Sequence, residues 1–264
     1  QRGGASDPMT LLTTQGLAVR IAGRPICNAL ELALAPGEVW AILGRNGAGK
    51  TTLLHTLAGL RPPQAGIVLL DARDLREWDG MALARRRGVM FQDSHDTFPA
   101  TVLETVLTGR HPHLSFWGLE SAQDRAMAEA ALAQVELATD ADRLVNTLSG
   151  GERRRVAIAT LLVQAPIVWL LDEPSNHLDL RHQVELLSLL VQRARQNSGL
   201  ILMSLHDVNL ALRFCTHALL LVDADTIMAG PVAEVINGEN LQRLYGHAVF
   251  NLRDASGHEA WIPV

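Results

Sequence analysis

The sequence predicts an α/β fold: a largely parallel sheet covered by helices on both faces, with a helical segment inserted into it. Three observations predict it. Gly44-Arg45-Asn46-Gly47-Ala48-Gly49-Lys50-Thr51 fits G-x-x-x-x-G-K-[ST] at every fixed position. It lies between an apolar run at 39–43, read as a buried strand, and a helical pattern at 52–58. From residue 167 onward, strand-length apolar runs at 167–171, 200–205 and 218–222 alternate with helical patterning such as 180–195. Between these two regions, residues 92 to about 146 change character. Residues 121–137 are alanine-rich with acidic residues near their start, and Ser121 stands where a helix N-cap belongs.

The remaining elements follow in order. Apolar residues alternate with others over 17–19 and 30–34, as in strands at a sheet edge. Pro36-Gly37 marks a turn, 66–70 reads as a strand, and 85–91 leads into another. With 264 residues, 48% of them hydrophobic, the chain has ample material for a core, as one large domain or two small ones. A net charge of −5 argues against a nucleic-acid surface. Cys27 and Cys215 lack metal or redox spacing and suit a reducing compartment. No apolar run approaches the roughly 18 residues of a membrane span, so a membrane role would come through a partner. Residues 1–8 are small and polar, without a signal-peptide apolar region, and read as a flexible tail.

The glycine-rich loop carries chemistry. Its backbone N–H groups can wrap a phosphate chain at a helix N-terminus, with Lys50 reaching the β- and γ-phosphates and the Thr51 hydroxyl ligating Mg²⁺. The strand at 167–171 ends in Asp172-Glu173. Strand C-termini of a parallel sheet face the ligand crevice, which places Asp172 to hold Mg²⁺ and Glu173 to polarise a water for in-line attack. Leu148-Ser149-Gly150-Gly151-Glu152 opens a helix over 153–163, with Ser149 as its cap, and constitutes a second anion site.

Together these motifs resemble the ATP-binding subunit of an ABC transporter over about residues 11–245. The resemblance implies a P-loop NTPase (RecA-like) core with an N-terminal antiparallel β subdomain (9–91 and 147–264). It also implies an inserted α-helical subdomain at 92–146, the whole forming one ATPase domain over 9–264. It implies that the loop, Gly44 to Thr51 with Thr52, binds ATP, and that Gln92 senses Mg²⁺ and the γ-phosphate. Asp179, in Ser175-Asn176-His177-Leu178-Asp179, resembles the D-loop residue that crosses a dimer interface, and His206 resembles the switch histidine at the γ-phosphate. Catalysis then falls to Glu173, His206, Gln92 and Lys50, and Mg²⁺ to Thr51, Gln92 and Asp172. Alone, His206 would read as an ordinary strand-end histidine. ATP is expected to lie between Lys50 of one copy and the signature Ser149, Gly150, Gly151 and Glu152 of the other. The family usually stacks an aromatic residue on adenine near position 21; this chain has Ile21 there.

Residues 98–113, Asn176 to Gln183 and Gly238 to Gly246 resemble the branch that imports iron-siderophores, haem or cobalamin. The resemblance implies a homodimer on a separate membrane permease, at the cytoplasmic face of the membrane, supplied indirectly by a substrate-binding protein and without nucleic acid. The alternative is a soluble ABC ATPase acting on ribosomes or DNA. Such proteins usually carry two cassettes or a long coiled coil, and this chain has one cassette. His111 and His113, with His95 near in sequence, offer a weak metal signal. Arg85-Arg86-Arg87 and Arg153-Arg154-Arg155 are expected to be solvated or interface charges.

Overall fold

The computed structural model describes residues 10–92, 99–114, 118–253 and 259–264. The proposed tail at 1–8, together with His95 and Phe98, lies outside the described residues.

In chain order the strands and helices begin with β1 (Leu12–Ile21), β2 (Arg24–Leu34), β3 (Val39–Gly44), α1 (Lys50–Leu57), β4 (Ala65–Leu70) and β5 (Arg73–Asp74). Then come α2 (Gly80–Arg86), β6 (Arg87–Met90), α3 (Val102–Leu107), α4 (Ala122–Gln134), α5 (Gly150–Gln164) and β7 (Val168–Leu171). The remainder is α6 (Leu180–Asn197), β8 (Leu200–Ser204), α7 (Val208–Phe214), β9 (His217–Leu221), β10 (Ile227–Pro231), α8 (Val232–Val235), α9 (Gly238–Tyr245), β11 (Val249–Arg253) and β12 (Glu259–Pro263).

The principal sheet has the order β10-β9-β3-β8-β7-β6. All neighbours in it are parallel except β10 on β9. Side chains alternate between its faces, and both faces are buried. Val39, Ala41 and Leu43 of β3 join one core with Trp169, Ile201 and Met203, while Trp40 and Ile42 join the other with Leu170 and Leu202. A sheet covered on both sides reads as unbroken apolar runs, the pattern legible at 39–43 and 167–171.

A second, antiparallel sheet, β2-β1-β4-β5, sits over α1 and shares its apolar core. The expectation that both early strands lie at an edge is half right: β2 is an edge, but β1 pairs with β2 and β4. Burial on one face sets the alternation, and it is the same for an edge strand and an interior one.

Helices α3 and α4 and the 3₁₀ turn Thr108–His113 pack on α5. Ser121 caps α4 in a reciprocal capping box with Asp124, as its position suggests. The close approach to α5 depends on Gly109, where a Cβ would meet the Thr160 carbonyl oxygen at 2.3 Å.

The expectation of solvated or interface charges for the two arginine runs suits Arg85, which is exposed, and fails for Arg154. Arg154 is buried, and its guanidinium donates to the Phe91 and Asp172 carbonyls at 2.9 and 3.4 Å. Arg155 donates to Val135 O at 2.9 Å, Arg153 to Leu148 O at 2.6 Å and Arg85 to Pro112 O at 2.5 Å. Arg86 pairs with Asp71 at 2.6 Å, and burial lowers the Arg87 pKa. Five donors on a planar group let arginine stitch loop carbonyls together. Cys27 and Cys215 are free and buried, and burial pushes their thiols up to about 11 and about 12.

Candidate active site

Strand β3 delivers the phosphate loop to the C-terminal edge of the sheet. Gly47 and Gly49 have φ of 75° and 97°, a region open to glycine at no steric cost. A Cβ on Gly49 would also sit 2.3 Å from Ile26 Cδ1. Gly49 is the N-cap of α1 and no side chain caps it, which leaves the first-turn N–H groups available to an anion. Lys50 is only 6% exposed and folds back, donating from Nζ to Gly44 O at 2.9 Å and Arg45 O at 3.4 Å. Desolvation lowers its pKa, opposed by the nearby charges of Glu173 and Asp172. The ammonium is hydrogen-bonded to the loop and lies in the field of the two carboxylates.

Strand β7 ends at those carboxylates. Asp172 is 0% exposed; its Oδ1 accepts from Ser204 Oγ at 2.6 Å, and its Oδ2 is buried without a hydrogen-bond partner. Glu173 adopts a left-handed φ of 50°, uncommon for a residue with a Cβ and costly enough to need support from its surroundings. Its amide donates to Ser204 Oγ at 2.8 Å. Its Oε2 accepts from Gln92 Nε2 at 3.1 Å and Asn176 Nδ2 at 2.9 Å, and its Oε1 lies 2.5 Å from His206 Nε2.

A cavity of about 450 Å³ brings Ile21, Asn46, Gly47, Ala48, Gly49, Lys50, Thr51, Thr52, Gln92, Glu173, Asn176 and His206 together. Gly44, Arg45 and Asp172 do not line it. Ser149, Gly150, Gly151, Glu152 and Asp179 line a different cavity of about 310 Å³ that shares no residue with the first. Within one chain, the two cavities are separate.

Ser149 caps α5 in a capping box with Glu152, whose carboxyl is held down at about 2. The Ser149 backbone N–H contributes most, followed by the Ser149 hydroxyl and Arg143. Asp179 caps α6 and holds the His182 ring at 2.8 Å. His113 Nε2 lies 2.8 Å from Gln164 O. Among the described residues, the side chains within ligand reach of one another are instead Glu136, His182 and Glu185, with both glutamates paired to Arg181.

Sequence reasoning passed over Ser204, Asn176 as a partner of Glu173, and Arg154. Ser204 had a signal: it is the polar residue of an otherwise apolar buried strand.

The family model for ABC transporters matches residues 27–176, more than half of the chain. This chain belongs to the ABC transporter family. Among curated relatives, the hemin import ATP-binding protein HmuV of Escherichia coli O157:H7 is 36% identical over 258 residues, covering 96% of this chain and 98% of its own. Among solved structures, a chain assigned to a metal-chelate type ABC transporter, caught facing inward, superposes with a TM-score of 0.84 at 26% identity. It covers 97% of this ABC chain and 98% of its own. A dimeric ATP-binding cassette holding ADP and Pi superposes with a TM-score of 0.73 at 26% identity, covering 84% and 99%. The ABC chain is thus an ATP-hydrolysing cassette with a P-loop NTPase core. No helix among its described residues is long and apolar enough to cross a membrane.

Proposed function

We propose that this cassette powers an importer of a metal chelate or corrinoid: an iron-siderophore, haem or cobalamin. In this reading it works as a homodimer at the cytoplasmic face of the membrane, docked on a separate permease that a substrate-binding protein feeds. The haem-import relative and the metal-chelate neighbour support import over a soluble role on ribosomes or DNA. The separation of the two anion cavities supports a dimer, because the signature of one copy can complete the phosphate site of the other.

One observation carries the catalytic reading: Glu173 sits at the end of a buried strand, in the phosphate-loop cavity, gripped by Gln92, Asn176 and His206. Glu173 is the general base, and releasing one of these contacts frees an oxygen to take a proton from water. Lys50, already desolvated, exchanges its loop carbonyls for phosphate oxygens. His206 moves from Glu173 to the γ-phosphate. Ile21 lies against the adenine.

The Mg²⁺ fit rests on Asp172 Oδ2, a buried carboxylate oxygen with no partner, since an unpaired buried anion is costly unless a cation meets it. Asp172, Thr51 and Gln92 would hold the ion, which supplies charge neutralisation for the phosphates.

The test is Glu173→Gln, which keeps shape and removes basicity. Nucleotide binding should survive while turnover drops at least about a hundredfold. ATP, but not ADP, should then drive the variant into a dimer on size-exclusion chromatography, and Lys50→Ala should abolish that dimer. Near wild-type turnover in Glu173→Gln would overturn the assignment.

A further inference from the structure

We propose that Ser204 is the positioning residue of the catalytic carboxylate pair: its one hydroxyl sets which oxygen of Asp172 meets the cation and fixes the backbone that aims Glu173. The inference rests on the proposed roles of Asp172 and Glu173 and adds a residue to them.

The topology brings Ser204 there. Strand β8 lies between β3, which carries the phosphate loop, and β7, which carries the carboxylates. Its register places Ser204 beside Ile42 on one side and Met203 beside Leu171 on the other. The last residue of β8 therefore stands next to the first residue beyond β7, which is Asp172. Ser204 is 0% exposed in a strand whose other members are Leu200, Ile201, Leu202 and Met203. A hydroxyl in such a strand is costly unless it is hydrogen-bonded.

Both of its hydrogen-bonding roles are used. The proton goes to Asp172 Oδ1 at 2.6 Å, a length expected of an O–H on a carboxylate, and a lone pair takes the Glu173 amide at 2.8 Å. The first bond occupies Oδ1 and leaves Oδ2 as the bare oxygen. The second fastens the peptide ahead of a glutamate whose left-handed φ of 50° needs such support. No other residue type of that size donates and accepts from one atom in this way: alanine and valine do neither, and cysteine does both poorly.

Ser204→Ala should raise the Mn²⁺ concentration needed for half-saturation at least about fivefold, read by electron paramagnetic resonance with ADP present, where no hydrolysis occurs. It should lower kcat at least about tenfold while changing KM for ATP less than about threefold. Ser204→Thr, which restores a hydroxyl at the same atom, should return both values to within about threefold of wild type. Ser204→Cys preserves the shape with a weak donor and should behave like alanine, which separates positioning from packing if alanine loosens the fold. In the Glu173→Gln background, Ser204→Ala should cost little further turnover yet still weaken Mn²⁺ binding. Wild-type Mn²⁺ affinity and kcat in both the alanine and cysteine variants would overturn the proposal. Turnover retained by Glu173→Gln alone, with Mn²⁺ binding still weakened by Ser204→Ala, would overturn the base assignment and leave the Asp172 arm standing.

Discussion

Ile21 ends β1 at the tight turn into β2 and is 39% exposed on the wall of the nucleotide cavity. Its branched side chain can cover a base edge but offers no π face. Stacking of a base on an aromatic ring contributes about 1–3 kcal/mol by alanine substitution, and the aliphatic contact keeps part of that. Ile21→Tyr should therefore tighten ATP binding by roughly fivefold, equivalent to about 1 kcal/mol, and increase the preference for ATP over GTP. Fluorescent-nucleotide competition measures both. Equal ATP and GTP affinities in both proteins would mean that Ile21 does not read the base.

At the scale of elements, α5 joins the signature to the catalytic edge. Its N-terminus carries the Ser149–Glu152 capping box, and one turn in, Arg154 ties the carbonyls of Phe91 and Asp172, the residues just before Gln92 and Glu173. A displacement of α5 would therefore carry the backbone just ahead of Gln92 and Glu173 with it. The Glu152 carboxyl, at about 2 against a usual 4.5, makes the box sensitive to acid. Its folded pKa is depressed, so its stabilisation is fully present above the usual value and is lost as pH falls through the folded one. The Tm difference between wild type and Glu152→Gln should be largest near pH 7 and should shrink between about pH 4.5 and pH 2. A difference independent of pH would show that the carboxylate charge contributes nothing to the cap. Its magnitude should be modest, because the pair with Arg143 is partly open to water and screened by it.

At the scale of the whole molecule, Val102, Leu103 and Val106 of α3 are buried in the core and Leu107 is partly buried against it, so they do not form an open groove for a permease helix. Exposed apolar side chains are instead Met81, at the start of α2, which packs on the 108–113 turn, and Leu119, shortly beyond that turn in sequence. Met81→Glu and Leu119→Glu should reduce permease-coupled transport in reconstituted vesicles severalfold while leaving the basal ATPase rate of the isolated cassette unchanged. Normal transport by the double variant would place the docking face elsewhere.

The phosphate loop, the strand ending in Asp172-Glu173 and the capped signature helix were legible because each is written in contiguous residues. Local chemistry, such as glycine's φ freedom, a serine cap or an apolar run ending in charge, decides them within one turn or strand. The doubly covered parallel sheet was legible for the same reason: burial on both faces erases period-two alternation. Strand order was not. That β8 lies between β3 and β7 follows from packing across the sheet, and it alone makes Ser204 the neighbour of Asp172. Nor could the arginine runs be read, since Arg154 acts on carbonyls 63 and 18 residues away in sequence. The sequence by itself determined which groups are available to hold phosphate and move a proton. Only the tertiary structure decided which of them meet, because hydrogen bonds and burial act over a few ångströms of space whatever the distance along the chain.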